Sequence, residues 1–158
     1  MITPFVRTLS KMFALLAVFS TTALFAPAAL SDDDDERGPF TERTIRGTWG
    51  WTGDGNLVDP DTGEAVHTVG LGIVYFDGHG GCQVTSSVNI SGIPQGPITS
   101  TSCVYSVNPD GTGQSVATFS DPPFEGDAPV IFVIVDKRKE IRFIQNNQFV
   151  VTFVAKRI

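Results

Sequence analysis

The sequence predicts an all-β protein, folded as an eight-stranded antiparallel up-and-down barrel. Helical patterns are nearly absent after the N-terminal segment, whereas β-branched and aromatic runs recur with turn residues between them. Eight such runs can be counted. Eight strands joined in order favour a closed barrel, because closure removes both exposed edges and leaves room for a small ligand. A two-sheet β-sandwich is the alternative.

The strands are placed by their alternating polarity and by the turns between them. Glycine-rich turns follow Phe76 and Asn108, and both are typical of tight connections between antiparallel strands. The predicted strands cover residues 44–51, 65–77, 82–91, 98–107, 112–120, 129–136, 139–146 and 148–157.

The N-terminus predicts export from the cytosol. Arg7 and Lys11 precede an apolar run, and together they form the basic and hydrophobic parts of a secretory signal peptide. We therefore interpret residues 1–31 as a signal peptide, cleaved after Ala28 or after Ser31. Polar residues interrupt the apolar run well short of the roughly 20 residues that a membrane span needs. No membrane span is expected after cleavage, and the mature protein should be secreted or periplasmic.

The mature chain is acidic. Cleavage removes two basic residues and none of the 17 acidic ones, so the net charge moves from −6 to −8. Nucleic acid and anionic membranes are poor partners for such a protein. Residues 32–43 begin with a run of five acids and are predicted to be a disordered linker. Residues 44–158 then form a single β-barrel domain. Asn89 lies in a glycosylation acceptor, which matters only in a eukaryotic source.

The two cysteines predict one disulfide. Cys82 and Cys103 are the only cysteines, and thiols pair in an oxidising compartment. Alternation places both on the inner faces of neighbouring predicted strands, as a staple across a hairpin. A redox pair or a metal site lacks the short spacing and histidine neighbours that such sites use.

Alternation also predicts what faces the interior. Trp49 and Trp51 of the first strand fall on its inner face. We place His67 of the second strand on the inner register as well. The last three predicted strands are apolar on both faces, which predicts a homo-oligomer that covers their outer side. That outer set comprises Ile131, Val133, Val135, Ile144, Val150 and Val154.

Up-and-down connectivity sorts the charges between the two ends. One end receives the predicted long loops 52–64, 92–97 and 121–128, with seven carboxylates and no basic residue. The other end receives tight turns, both termini and most of the basic residues. The acidic, long-looped end is therefore the predicted binding surface.

One short motif suggests a family resemblance. Gly47-Thr48-Trp49, preceded by Ile45 and combined with basic residues at the end of the last strand, resembles the Gly-x-Trp signature of lipocalin and avidin barrels. The turns after Phe76 and Asn108 look like those of exported barrels related to the allene oxide cyclase fold. The lipocalin resemblance implies an interior that holds an apolar small molecule, and the cyclase resemblance implies that such an interior can also catalyse a cyclisation.

Three functions remain open from the sequence. The first is a non-enzymatic exported barrel that binds a small, largely apolar ligand. The second is a structural or interaction module with a filled barrel, and the third is a cavity-type cyclase or isomerase. We expect a ligand to contact Trp51, His67, Tyr75, Tyr105 and Phe124. An enzyme would use His67, Tyr75 and Tyr105 for proton transfer.

No cofactor is expected, because no nucleotide loop, nucleophile motif or metal-ligand cluster stands out. The best metal candidate is a set of oxygen-bearing side chains that hard cations prefer. These residues are also ordinary turn formers, and a solvent-facing loop is the simpler interpretation. The set comprises Asp54, Asn56, Asp59, Asp61 and Glu64.

Overall fold

The computed structural model describes residues 38–122 and 124–158. The predicted signal peptide and the acidic run at 32–36 lie outside this range. Within these residues, a short 3₁₀ helix, Glu42–Ile45, precedes nine β-strands. The strands are β1 (Gly47–Val58), β2 (Ala65–Phe76), β3 (Cys82–Ile90), β4 (Ile93–Thr99), β5 (Ser102–Val107), β6 (Thr112–Phe119), β7 (Gly126–Val135), β8 (Glu140–Asn146) and β9 (Phe149–Arg157). Within the described residues, no helix is long and apolar enough to cross a membrane.

All nine strands belong to one antiparallel sheet that curls into a barrel-like shape. Their order is β4-β3-β2-β1-β9-β8-β7-β6-β5, so the first and last strands pair with each other. This confirms the predicted all-β barrel-like class. The strand count differs, because the predicted strand 98–107 is replaced by two strands, β4 and β5, which run in the same direction. β4 bonds to β3 and β5 bonds to β6, so the pair takes the place of one strand that changes partner.

The seam between β3 and β5 is closed by one disulfide and by hydrogen bonds. Gly81 forms an isolated bridge with Val104, and the Ser100 N–H donates to the Val84 carbonyl over 2.8 Å. Cys82 and Cys103 form the predicted disulfide, with their Cα atoms 4.8 Å apart. The disulfide joins β3 to β5 across the seam. It does not link the two strands of one hairpin, because β4 lies between β3 and β5 in the sequence.

The inner face is as predicted for β1 but reversed for β2. Trp49 and Trp51 are buried inside. On β2 the inward residues are Thr68, Gly70, Gly72, Val74 and Phe76, whereas His67 and Tyr75 point outward and are exposed. The prediction that His67 faces the interior is wrong. The reason is steric, because a Cβ atom at Gly72 would lie 2.8 Å from the Trp51 indole and would clash with the Thr85 carbonyl, and one at Gly70 would make tight contacts with Val88 and Trp51.

Packed side chains close one end of the barrel. Ile45, Trp49 and Ile141 are fully buried there, and Phe76 is almost so. The Trp49 indole N–H donates to the Ile45 carbonyl over 2.7 Å, which fixes the 3₁₀ helix across this end. Arg157 of β9 covers the indole from outside, with its guanidinium carbon 5.0 Å from the ring centroid. Cation–π contacts of this kind contribute about 0.5–1 kcal/mol at exposed sites.

The packed region begins earlier than the predicted linker boundary at residue 43. Phe40 packs against the main core cluster, and its N–H donates to the Pro109 carbonyl over 3.2 Å. The 3₁₀ helix then spans the boundary itself. The segment is ordered from Phe40 because its aromatic ring covers Gly111, where a Cβ atom would lie 3.1 Å from the ring.

Charge is divided unevenly between the two ends: the described lysines and arginines lie toward one end, which also carries Asp77, Asp110 and Asp136. The end that we call acidic carries the connections 59–64, 91–92, 120–125 and 147–148, and the basic end carries 77–81, 108–111 and 136–139. The acidic end is not long-looped as predicted, because β1 extends to Val58 and the predicted loop 92–97 is strand β4. The carboxylates in or near its connections are Asp54, Asp59, Asp61, Glu64, Asp121, Glu125 and Asp127.

Candidate ligand cavity

An internal cavity lies between the packed floor and the acidic end. It exists because several inward positions carry small side chains where a core would carry large ones. Gly70 lies on β2, Ser86 on β3, and Ser115 and Ala117 on β6, while Ala128 is paired directly with Ala117. Larger apolar residues complete the wall, and the lining comes from β1, β2, β3, β6, β7, β8 and β9 together with Phe124.

The cavity has a volume of about 110 Å³. Its lining contains no Asp, Glu, Lys, Arg or His side chain among the described residues. The lining residues are Trp51, Thr68, Gly70, Val74, Phe76, Val84, Ser86, Val88, Ser115, Ala117, Phe119, Phe124, Ala128, Val130, Phe143, Gln145, Phe149, Val151 and Phe153. An apolar, uncharged lining suits an apolar ligand, because burying an isolated charge there would be costly.

Three phenylalanines form the part of the lining nearest the acidic end. Phe124 lies in the connection between β6 and β7, with its ring centroid 5.7 Å from that of Phe119 and 5.3 Å from that of Phe149. Phe119 ends β6 and Phe149 begins β9, so all three rings sit where strands meet connections. We call this group the aromatic mouth.

Trp51 forms the opposite part of the wall. Its indole packs edge-on against Phe153, with ring centroids 5.3 Å apart. It also lies against Gly70 and Gly72 of β2. The indole therefore contacts both the wall and the cavity, which makes it an internal reporter of occupancy.

Four polar side chains interrupt the apolar lining. They are Thr68, Ser86, Ser115 and Gln145, and each is buried. The Gln145 amide is held from one side, since its Nε2 donates to Asn147 Oδ1 over 3.3 Å. Ser115 Oγ lies 3.7 Å and 3.8 Å from the sulfurs of Cys82 and Cys103. A few fixed polar groups in an apolar pocket are the usual means of orienting a small ligand.

The predicted site residues divide between the cavity, the floor and the outer surface. Trp51 and Phe124 line the cavity. Tyr105 is buried in the floor, where its hydroxyl donates to the Glu42 carbonyl over 3.1 Å and accepts the Gly78 N–H over 3.0 Å. Burial raises the pKa of this phenol above its ordinary value. Tyr75 and His67 lie outside the barrel.

His67 forms a solvent-exposed pair with Asp54. Its Nε2 lies 3.3 Å from Asp54 Oδ2, and the two side chains are 65% and 73% exposed. The three residues considered for proton transfer are therefore not gathered around one space. Two of them face solvent, and the hydroxyl of the third is engaged by backbone groups.

The oxygen-bearing residues considered for a metal are also spread out. Asp54 and Asn56 belong to β1, whereas Asp59, Asp61 and Glu64 follow in the turn. Asp59 Oδ1 accepts the N–H groups of Asp61 and Thr62 over 2.8 and 3.0 Å, which lowers the pKa of its carboxyl. Across residues 38–122 and 124–158, no group of three or more His, Cys, Asp or Glu side chains could hold a metal ion.

Sequence reasoning missed most of the cavity wall. Ala117, Ala128 and Gln145 line the space but were not singled out. The available signal was the alternation of small residues on β2 and β6, where Gly70 and Gly72 share one face and Ser115 and Ala117 share another.

Comparisons of the chain with protein-family models, with curated proteins and with solved structures found no match.

Proposed function

We propose that this chain is an exported, non-enzymatic barrel that binds a small, largely apolar molecule inside, entered from the acidic end. The observation that carries the proposal is the 110 Å³ cavity, with its uncharged lining and its aromatic mouth. The basic end is unsuitable as an entrance, because fully buried side chains fill it. The disulfide supports a function outside the cytosol, because disulfides persist in oxidising compartments.

The cavity volume indicates the size of the ligand. A dry apolar cavity of about 150 Å³ binds benzene. A partly open space of about 110 Å³ therefore suits a molecule near the size of one six-membered ring. The binding free energy of very small ligands is limited to about 1.5 kcal/mol per non-hydrogen atom. A ligand of roughly six to eight such atoms can therefore gain roughly 10 kcal/mol on binding. This upper limit corresponds to a dissociation constant of about 50 nM, so binding should be no tighter than that, and assays need ligand concentrations from that range upward.

An enzymatic role has less support. A cyclase or isomerase of this type needs proton-transfer groups that face the substrate. His67 and Tyr75 lie on the outer surface, and the Tyr105 hydroxyl is bonded within the floor. The remaining polar groups of the cavity are hydroxyls and one amide, which orient a ligand but are poor acids and bases near neutral pH.

Calorimetry with toluene tests the proposal. The wild-type protein should bind toluene saturably, with one site per chain. Ala117→Leu adds three carbon atoms into the cavity and should abolish binding. The matched control is Val116→Leu, which enlarges the neighbouring residue on the opposite face of β6 and should leave binding unchanged. Saturable binding that survives Ala117→Leu at full strength would contradict the proposal. If that variant fails to fold, Ala128→Leu offers the same test from β7.

A second proposal concerns the outer face, where we propose a self-interface. Five apolar side chains of β7, β8 and β9 are 37–61% exposed, and we call them the outer apolar surface: Ile131, Val133, Ile144, Val150 and Val154. Four more on β2 are 40–61% exposed, and we call them the β2 outer stripe: Val69, Leu71, Ile73 and Tyr75.

The two apolar groups lie on either side of β1. Thr52 is paired with Leu71 on one side and with Val154 on the other. The two groups therefore lie on the same outer face of the sheet, separated on β1 by polar residues that include the exposed Asp54. An exposed apolar area of this extent favours association with a second copy.

A further inference from the structure

We infer that the ligand of the cavity is a neutral ring compound with a hydroxyl group, a phenol or a cyclic alcohol, whose hydroxyl donates a hydrogen bond to Gln145. This inference rests on the proposed binding function and adds the chemical class of the ligand. It is carried by one buried side chain of the lining, the Gln145 amide, whose oxygen has no hydrogen-bond partner among the described residues.

Gln145 lies among apolar residues on the inner face of β8. It is paired with Val130 of β7 and with Val151 of β9, and all three residues line the cavity. Gln145 is only 7% exposed. Burial of an amide costs free energy unless its polar atoms are hydrogen-bonded, so a glutamine in this position requires partners.

The orientation of the Gln145 amide follows from its contact with Asn147. The Asn147 side-chain atom that lies 2.8 Å from the Phe149 N–H accepts its hydrogen, so this atom is the amide oxygen, Oδ1. The Gln145 atom 3.3 Å from the same oxygen must then be a donor, which is Nε2. Gln145 Oε1 is therefore the atom that is left without a partner among the described residues.

This oxygen is in contact with open space. Among the described residues, every side-chain nitrogen or oxygen that is completely enclosed has a hydrogen-bond partner. Gln145 Oε1 has none, so it is not completely enclosed, and its residue lines the cavity. A ligand inside the cavity can therefore reach this oxygen.

The polar atoms of the lining favour a ligand that donates a hydrogen bond. An amide oxygen accepts hydrogen bonds and cannot donate them. The Thr68 hydroxyl donates its only hydrogen to the Val66 carbonyl over 3.2 Å, so it too can only accept from a ligand. The hydroxyls of Ser86 and Ser115 can take either role. A ligand hydroxyl would satisfy Gln145 Oε1, whereas a ligand carbonyl or nitrile would place a second acceptor next to it.

The lining also requires that the donor be neutral. No Asp, Glu, Lys, Arg or His side chain of the described residues lines the cavity, so an ammonium group would be buried there without a counter-ion. A phenol stays neutral at pH 7, because phenolic hydroxyls have pKa values of about 10. Phenol is also a single ring with one small substituent, which suits a volume of about 110 Å³.

Three ring compounds of similar size test the inference: phenol, toluene and benzonitrile, measured by calorimetry at pH 7. Toluene has no polar group, and benzonitrile accepts a hydrogen bond but cannot donate one. Without a partner in the cavity, phenol would bind more weakly than toluene, because its hydroxyl loses its hydrogen bonds to water. We expect phenol to bind at least as tightly as toluene and several-fold more tightly than benzonitrile. Phenol binding that is weaker than toluene binding, or no tighter than benzonitrile binding, would overturn the inference.

A variant of Gln145 tests its role in this preference. Gln145→Met removes the amide and keeps a side chain of similar length, so phenol affinity should fall about tenfold while toluene affinity stays unchanged. Gln83→Met is the matched control, because Gln83 is exposed on the outer face of β3. Unchanged phenol affinity in Gln145→Met, or loss of the preference in Ser86→Ala instead, would overturn the role of Gln145.

The outcomes separate this inference from the proposed function. Saturable toluene binding without a preference for phenol removes the inference alone. Absence of both toluene and phenol binding by the wild-type protein removes the proposed function, and this inference with it. The three ligands are compared on the wild-type protein, so the comparison remains decisive even if Gln145→Met does not fold.

Discussion

The indole of Trp51 lies across the backbone of Gly72, so that a Cβ atom at Gly72 would lie 2.8 Å from the ring. The same Cβ would also clash with the backbone carbonyl of Thr85 on β3. Trp51 and Gly72 are paired across β1 and β2. The tryptophan can therefore turn inward and form the cavity wall only because its cross-strand neighbour has no side chain.

We expect Gly72→Ala to destabilise the protein by about 1–3 kcal/mol, because the added methyl group overpacks the wall against a backbone atom. Gly50→Ala on β1 is the matched control, since its Cβ would make only an ordinary contact with Ile158 at 3.4 Å. Urea unfolding of the two variants measures the difference. Equal stabilities would contradict the close approach of the Trp51 ring and the Thr85 carbonyl to Gly72.

Removal of the disulfide should destabilise the barrel at its seam. The bridge closes a loop with a sequence separation of 21 residues, and cross-linking a loop of this size contributes about 3 kcal/mol. We expect Cys82→Ala with Cys103→Ala to lower the free energy of unfolding by about that amount. Hydrogen exchange should accelerate first in β4 and β5. Full thiol labelling of the non-reduced wild-type protein would show that the bridge is absent.

Acid should weaken the ion pairs that Glu140 of β8 forms with Arg142 and with Lys156 of β9. Arg142 Nε lies 2.8 Å from Glu140 Oε1, and Lys156 Nζ lies 3.6 Å from Glu140 Oε2. The hydrogen bond from Arg142 and the two positive charges hold the pKa of the Glu140 carboxyl below its ordinary value of 4.5. The stability that Glu140 contributes is therefore present above pH 4.5 and is lost as the pH falls through the lower folded-state pKa.

Glu140→Gln should make the unfolding free energy less dependent on pH below about 4.5, relative to the wild-type protein. Glu64→Gln, in the exposed β1–β2 turn, is the control for loss of a carboxylate and should keep the wild-type slope. Urea titrations between pH 2.5 and 6 measure both. The account of Glu140 fails if the two variants behave alike.

Charges placed on the outer apolar surface should prevent self-association. We expect Val133→Lys with Val150→Lys to weaken association at least about 100-fold, or roughly 2.7 kcal/mol, since each lysine would be buried against an apolar partner. Ile93→Lys with Val104→Lys is the control, because both residues are 61% exposed but lie on β4 and β5 outside that surface. Sedimentation gives the oligomeric state. A wild-type protein that stays monomeric at high concentration contradicts the self-interface.

Most strands could be predicted from the sequence because their two faces differ in polarity. The exception was β4, which contains Pro94 and Pro97 and reads as a loop. It is nevertheless a strand because β4 is hydrogen-bonded on one side only, to β3. A proline can occur in such a strand, since its missing N–H can face the side that has no partner strand. Whether a strand tolerates proline depends on its position in the sheet, and the local sequence does not show that position.

The inner face of β2 could not be chosen by hydrophobicity. One face carries Val69, Leu71 and Ile73, and by composition it looks like the core face. The structure turns the glycine face inward because Trp51 of the neighbouring strand supplies the missing volume. Volume shared between strands is a tertiary property, and the cavity wall was missed for the same reason.

The most direct test of the central claim is a titration of the isotopically labelled protein with toluene, followed by the amide resonances. The account predicts saturable shifts concentrated on cavity residues such as Gly70, Ala117 and Val151, with no saturable shifts in the packed floor around Ile141. These shifts should disappear in the Ala117→Leu variant. Shifts that never saturate, or that concentrate on the β2 outer stripe and the outer apolar surface, would contradict binding inside the barrel.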